Sequence, residues 1–201
     1  MEKELRHIVD YLLLRGSFLR NIGLFHGKMG VVVTLYMYAE RYKDNLMEEY
    51  AWDLFQQVYE SVHTDMLFGL EDGLVGIGYG TTMLYKYGIV DCDLNEVLTD
   101  IDSKIMERDP RRMKDFSVRT GVAGLLRYLN LRQSTNTSLT TFDGQFLSDL
   151  QVVTKQMVPI HQDSGIMDII KQPSFTKNEY TEKPVGIDGG CAYYILKHLL
   201  T

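Results

Sequence analysis

The side chains best suited to chemistry lie in or just before short glycine-rich motifs. They are an imidazole, three carboxylates, a guanidinium, a hydroxyl and a thiol, on His26, Glu71, Asp72, Arg119, Thr120, Asp188 and Cys191. An imidazole beside a carboxylate can serve as a general base, and a thiol within reach of an imidazole can serve as a nucleophile. A mixed polar cluster is equally typical of a ligand-binding site. These seven residues form our candidate ligand-binding set, and the sequence alone assigns no catalytic residue among them.

The glycine motifs recur along the chain at a nearly fixed period. Residues 69–76 repeat residues 23–30 closely, residues 117–124 are a degraded third copy, and a weaker fourth copy starts at Gly186 and puts Cys191 one turn into the next helix. The steps from Gly27 to Gly73 and from Gly73 to Gly121 are 46 and 48 residues, which suits two helices of about 15 residues and two connections. Because a glycine inside a helix costs roughly 1 kcal/mol relative to alanine, these glycines predict close backbone approach.

Two kinds of helix alternate with these motifs. The segments before the motifs carry apolar residues at helical spacing on one face only, whereas residues 31–39, after the first motif, have no polar face. A helix that is apolar all round is typically buried all round. We therefore predict an all-α fold, with residues 1–201 as a single domain. It is an α/α toroid-like repeat of about four helical hairpins, partial or open, whose inner helices start at Gly-x-x-Gly motifs and are covered by amphipathic outer helices.

The composition and net charge of the chain limit the classes of partner that we expect it to bind. A net charge of −6 argues against nucleic acid or an anionic membrane surface, because phosphate binding requires clustered Lys and Arg. The longest nearly uncharged run, residues 66–85, contains two acids and five glycines, so it does not predict a membrane span. With two cysteines and a first segment of mixed charge that lacks the apolar stretch of a signal peptide, we expect a cytoplasmic protein.

The repeats resemble the lanthionine synthetase C-like family, in which inner helices begin with Gly-x-x-Gly, often preceded by Gly-Leu. The match spans nearly the whole chain and is best in residues 69–80. The resemblance implies a toroid of helices and a role in peptide modification, as in lantibiotic production. Family cyclases add a cysteine thiol to a dehydroalanine or dehydrobutyrine, with a zinc ion that lowers the thiol pKa. That ion is held by one cysteine from a Trp-Cys-x-Gly segment and by the cysteine and histidine of a Cys-His-Gly segment.

The chain departs from the family pattern at those zinc ligands. Its only tryptophan, Trp52, is followed by Asp53, and its nearest approach to Cys-His-Gly has Phe25 before His26. Cys92 lies away from every glycine motif, so a single cysteine and a single histidine remain near the motifs. We therefore predict no metal and no cofactor, and we do not expect a zinc-dependent cyclase.

Three functions stay open at this stage. The first is a non-catalytic or divergent family member that binds a peptide or protein partner at the concave end where the inner helices begin. The second is a metal-independent enzyme that acts on a peptide or small substrate, with His26 as base and Asp72 or Asp188 orienting it. The third is a carbohydrate enzyme with paired acids such as Asp72 and Asp188. Asp72 and Asp188 each precede a glycine, so they would also suit helix N-caps. A homodimer is also possible as the state of the protein.

Overall fold

The computed structural model describes residues 2–63, 65–135, 139, 141–155 and 165–200. Within these residues the chain forms α-helices and two short 3₁₀ turns, without a β-strand. The helices are α1 (Glu2–Gly16), α2 (Lys28–Tyr42), α3 (Asn45–Glu60), α4 (Leu74–Lys86), α5 (Leu94–Met106), α6 (Val122–Gln133), α7 (Gly144–Thr154) and α8 (Ala192–Leu200). The predicted all-α class is thus confirmed. None of the described helices is both long enough and apolar enough to cross a lipid bilayer.

The helices belong to two compact units. Unit 1 consists of Met1–Ser61 together with Gly165–Thr201, and unit 2 consists of Val62–Ser164. In unit 1, α2 packs against α3 and α8, and α1 packs against α8. In unit 2, α4 packs against α5 and α6. The toroid and the single domain over residues 1–201 stay predictions.

Burial separates inner helices from outer helices, as the apolar patterns predict. Every residue from Met29 to Ala39 in α2 and from Leu74 to Leu84 in α4 is buried. The outer helix α3, in contrast, buries a single stripe at helical spacing, consisting of Met47, Ala51, Leu54 and Val58. A stripe of this width covers one side of a neighbouring helix and leaves the other side to solvent.

Inner and outer helices also begin differently. The outer helices α3, α5 and α7 have an aspartate N-cap whose side chain accepts a backbone N–H, on Asp44, Asp93 and Asp143. The inner helices α2, α4 and α6 have a glycine N-cap and no side-chain cap hydrogen bond, at Gly27, Gly73 and Gly121. The first helical N–H groups of the inner helices are therefore satisfied in another way, by the loop that leads into each helix.

That loop has the same hydrogen bond in all four repeats. The N–H after the loop glycine donates to the carbonyl seven residues earlier, at 2.8–2.9 Å, in the pairs Lys28 to Asn21, Leu74 to Leu67, Val122 to Asp115 and Cys191 to Pro184. We call these segments repeat loops 1 to 4, residues 21–28, 67–74, 115–122 and 184–191. The shared bond defines which residues are equivalent in the four copies.

The fourth copy differs in register from the sequence-based alignment. The hydrogen bond from Cys191 to Pro184 makes Gly190, rather than Gly189, the equivalent of Gly73. Asp188 is therefore equivalent to Glu71 and not to Asp72. Cys191 lies just before α8, which begins at Ala192, so the expectation that it lies one turn inside the helix was wrong.

Unit 2 contains a fully buried ion pair between α5 and α6. Arg132 donates to Asp102 at 3.1 Å, and both side chains are completely buried. Tyr128 (2.5 Å) and Thr141 (2.7 Å) donate to the same carboxylate. Burial raises the pKa of Asp102, while these hydrogen bonds and the Arg132 charge oppose the rise. The group joins α5, α6 and the segment before α7.

Candidate functional site

The candidate residues lie at two junctions between repeat loops, one junction within each unit. In unit 1 the Asp188 N–H of repeat loop 4 donates to the Phe25 carbonyl of repeat loop 1 at 3.1 Å. In unit 2 the Glu71 N–H of repeat loop 2 donates to the Arg119 carbonyl of repeat loop 3 at 2.8 Å. The donors occupy equivalent loop positions, and so do the acceptors. Each unit thus joins its own two repeat loops by the same type of backbone hydrogen bond.

Glycine allows the backbones to come this close. A Cβ atom on Gly69 would lie 2.6 Å from both the Arg119 carbonyl oxygen and the Thr120 Cα. The equivalent atom on Gly186 would overlap the Phe25 carbonyl oxygen and lie 2.8 Å from the His26 Cα. The prediction that the recurrent glycines mark close backbone approach is confirmed at both junctions.

The unit 1 junction brings a buried carboxylate to a half-exposed imidazole. His26 Nε2 lies 3.3 Å from Asp188 Oδ2, and the two side chains are 42% and 4% exposed. The other carboxylate oxygen, Oδ1, accepts the backbone N–H of Lys171 at 2.5 Å. Both oxygens of Asp188 therefore have a defined partner, and the two contacts together fix the position of the carboxylate.

This arrangement suits proton transfer as well as binding. A buried carboxylate that is hydrogen-bonded to one ring nitrogen sets the tautomer and orientation of an imidazole. The other nitrogen of an imidazole held in this way can serve as a general base toward a bound substrate. The same ring can also donate to, or accept from, a bound polar group.

The unit 2 junction carries a pair with a permanent charge. Arg119 Nη1 donates to Glu71 Oε1 at 2.9 Å, and the side chains are 26% and 22% exposed. Because a guanidinium keeps its proton throughout the physiological range, Arg119 cannot serve as a general base. Its chemistry is that of a fixed ion pair across the loop junction.

The surroundings of Thr120 and Asp72 decide whether these two candidates have a structural role within their own repeat loops. The Thr120 hydroxyl donates to Asp115 at 2.5 Å, and this bond is the main reason that the pKa of Asp115 is lowered. Thr120 thus stabilises repeat loop 3. Asp72 directly precedes Gly73, and because the N-cap of α4 is Gly73 without a side-chain cap bond, the N-cap alternative for Asp72 was wrong.

Cys191 has the surroundings of a structural thiol. Its side chain is buried, and Sγ donates to the Tyr180 carbonyl at 3.6 Å. Burial raises its pKa to about 12, so the thiol is neutral at pH 7. A neutral thiol is a poor nucleophile. Cys92, half-buried before α5, also has a pKa raised by burial.

Sequence reasoning did not find the role of Lys171 or the pairing of repeat loops 1 and 4. Lys171 acts through its backbone N–H, which has no signature in the residue type. The correct register of repeat loop 4 did have a signal, because each loop carries an apolar residue three positions before its glycine: Leu24, Leu70, Val118 and Ile187. The gathering of all seven candidate residues at one end stays a prediction.

Comparison with known proteins gives no relative from which a role could be taken: no family model matches the chain, and neither a curated protein nor a solved structure is significantly similar to it.

Proposed function

We propose that this protein is a divergent lanthionine synthetase C-like protein that binds a peptide at the junction of repeat loops 1 and 4. The observation that carries the proposal is the contact of the half-exposed His26 ring with the buried Asp188 carboxylate. A carboxylate that is almost fully removed from water is costly unless it is paired. Pairing with the His26 ring offsets that cost, and the ring remains accessible to a ligand.

The loop positions of this pair support the family assignment. His26 directly precedes the loop glycine Gly27, as the histidine does in the family's Cys-His-Gly segment. Asp188 lies two residues before Gly190, as the cysteine does in Trp-Cys-x-Gly. Phe25 and Asp188 thus stand where the resemblance would put thiolates. On this proposal Asp188 supplies a carboxylate at one of the two positions where the resemblance would put a thiolate.

Peptide binding can be tested with a phage-displayed library of random 12-residue peptides selected on the wild-type protein. Selected peptides should bind the His26→Ala and Asp188→Asn variants at least about 10-fold more weakly, because hydrogen bonds to charged groups are lost. His198→Ala is the matched control, since His198 lies in the same unit and bonds to Tyr42 at 3.1 Å. Peptides that bind all the variants alike, or a selection that yields no peptide, would contradict the proposal.

A second candidate is a metal-independent enzyme that uses His26 as general base and Asp188 as the residue that orients it. The buried position of Asp188 and its bond to the Lys171 N–H favour this candidate, because they fix the ring as a general base requires. Mass spectrometry and chromatography of the selected peptides after incubation would reveal a product formed by wild type and lost with His26→Ala. Stoichiometric zinc in the purified protein, lost in the same variant, would overturn the metal-independent mechanism.

A further inference from the structure

Unit 1 contains a second place where a ligand can bind, an open cavity beside the end of α1. Its volume is about 390 Å³, which lies within the range of small-ligand sites. Two cations and four apolar residues line it: Arg15, Lys183, Phe18, Leu19, Pro184 and Val185. This combination of charge and apolar surface calls for a ligand that carries an anion on an apolar body.

The two cations are brought to the cavity by contacts between α1 and the segment before repeat loop 4. The Tyr11 hydroxyl donates to the Lys183 carbonyl at 3.1 Å, and the Tyr11 ring meets Tyr180 edge-on at 5.4 Å between centroids. An ion pair between Lys177 and Glu4 at 2.5 Å fastens the same segment to α1. The segment is therefore fixed on α1, and Lys183 is held on the same cavity as Arg15.

Neither cation forms a close ion pair within the described residues, although the charge of Lys183, after the hydrogen bonds from Thr176, helps to lower the pKa of Glu179. Among the described residues no carboxylate oxygen lies within 4.0 Å of Arg15 or Lys183, although this chain has a net charge of −6. Each cation instead lies near an aromatic ring, Arg15 at 6.0 Å from the Tyr11 centroid and Lys183 at 5.5 Å from the Phe175 centroid. Two exposed cations without a direct ion pair, on one cavity of an acidic protein, suit an anionic partner.

The apolar part of the cavity is also exposed. The Phe18 side chain directly follows the last turn of α1 and is 79% exposed, the largest exposure among the big apolar residues of the described chain. A large aromatic side chain left in water beside two cations is the composition expected of a peptide-binding pocket.

We propose that this cavity binds the C-terminus of a peptide that ends in a large apolar residue. Arg15 and Lys183 pair with the terminal carboxylate, and the last side chain packs against Phe18 and Leu19. A volume of about 390 Å³ is large enough for one such side chain with its carboxylate. The cavity does not involve the His26–Asp188 pair, so its function stands independently of the proposal made for that pair.

The test is fluorescence anisotropy with a labelled peptide, fluorescein-Ser-Gly-Ser-Gly-Leu-Phe, carrying either a free C-terminal carboxylate or a C-terminal amide. The free carboxylate should bind at least about 10-fold more tightly than the amide, because a charge-assisted hydrogen bond is lost on amidation. Arg15→Gln and Lys183→Gln should each weaken binding about 10-fold, and Phe18→Ala should weaken it about 5-fold. Raising the salt concentration should also weaken binding, since the cations are exposed.

Arg41→Gln is the matched control, because Arg41 is an exposed cation of unit 1 in the last turn of α2, outside the cavity. It should bind the peptide as the wild type does, and so should His26→Ala, which separates this proposal from the previous one. Equal binding of the carboxylate and the amide, or of wild type and Arg15→Gln, would overturn the proposal. Decanoate supplies the same chemistry from a lipid source, and tighter binding of decanoate than of the peptide would overturn the assignment to a peptide.

Discussion

The backbone N–H of Asp188 donates to the carbonyl of Phe25, and this bond joins repeat loops that lie far apart in the chain. Glu71 and Arg119 make the same bond between repeat loops that follow one another. One local contact therefore serves both for neighbouring repeats and for the first and fourth repeats. Its strength depends on the glycine two residues before each donor, which leads to the first prediction.

Gly186→Ala should destabilise unit 1 by about 2 kcal/mol, since the added methyl group overlaps the Phe25 carbonyl oxygen and must push the loops apart. Urea unfolding followed by the fluorescence of Trp52, the only tryptophan and a residue of unit 1, measures this loss. Gly165→Ala is the control, because Gly165 also belongs to unit 1 and a Cβ atom there meets nothing within 4 Å. An unchanged unfolding midpoint in Gly186→Ala would show that the close approach does not matter for stability.

Asp188→Ala should lower the free energy of unfolding by about 1–3 kcal/mol, because it leaves the Lys171 N–H without its acceptor. Asp188→Asn keeps an acceptor oxygen and should cost clearly less. His26→Ala should cost less than about 1 kcal/mol, since its ring is 42% exposed and solvent weakens its contact with Asp188. Urea titrations of the three variants at pH 7 measure the order. A His26→Ala variant as unstable as Asp188→Ala would make the pair a structural one.

The sequence was sufficient for the fold class because the relevant signals are local and repeated. Apolar residues around all sides of residues 31–39 predicted a buried helix, and four glycine motifs predicted four inner helices. The positions of the site residues within repeat loop 4 were harder to predict. Gly186, Gly189 and Gly190 allow more than one alignment, and the hydrogen bond from Cys191 to Pro184 decides between them.

The contact between His26 and Asp188 had only a partial signal in the sequence. Their residue types and their closeness to glycines made both of them candidates. Their pairing depends on packing of α2 against α8, which no spacing between residues 26 and 188 encodes. The role of Lys171 could not be predicted from the sequence for another reason. Lys171 contributes a backbone N–H, which any residue except proline supplies.

Asp102→Ala should be the most damaging of these substitutions, at about 3–5 kcal/mol, because it leaves the buried Arg132 charge without its carboxylate. The double variant Asp102→Leu/Arg132→Leu should lose less stability than the sum of its single variants. Urea unfolding followed by far-ultraviolet circular dichroism provides the four values of this cycle. Additive losses would mean that the two buried groups do not interact energetically.

Cys191 should resist alkylation in the folded protein. Its thiol is buried and its pKa is raised to about 12, so the reactive thiolate is scarce even at pH 9. Mass spectrometry after treatment with iodoacetamide should find Cys191 unmodified, and modified once 6 M guanidinium chloride, roughly the level that unfolds even hyperstable domains, is present. Rapid labelling of Cys191 in the folded protein would instead support the nucleophile alternative.

The same pKa gives a dependence of stability on pH. Since the folded state holds the Cys191 proton up to about pH 12 and the unfolded state releases it near its ordinary value of about 8.5, the unfolded state binds fewer protons between those values. The contribution of the Cys191 thiol to the free energy of unfolding is therefore complete below about pH 8.5. It is lost as the pH rises from there toward about 12. Cys191→Ala should show a shallower loss of stability between pH 8 and pH 10 than the wild type, as urea titrations would measure.

The pairing of repeat loops 1 and 4 has a consequence for biosynthesis. Unit 2 is one continuous stretch, whereas unit 1 combines Met1–Ser61 with Gly165–Thr201. On the ribosome, α1 to α3 emerge early but lack α8, the helix against which α1 and α2 pack. Unit 2 can fold while translation continues, and the N-terminal helices must wait, with apolar faces open to chaperones, until the far segment has left the exit tunnel.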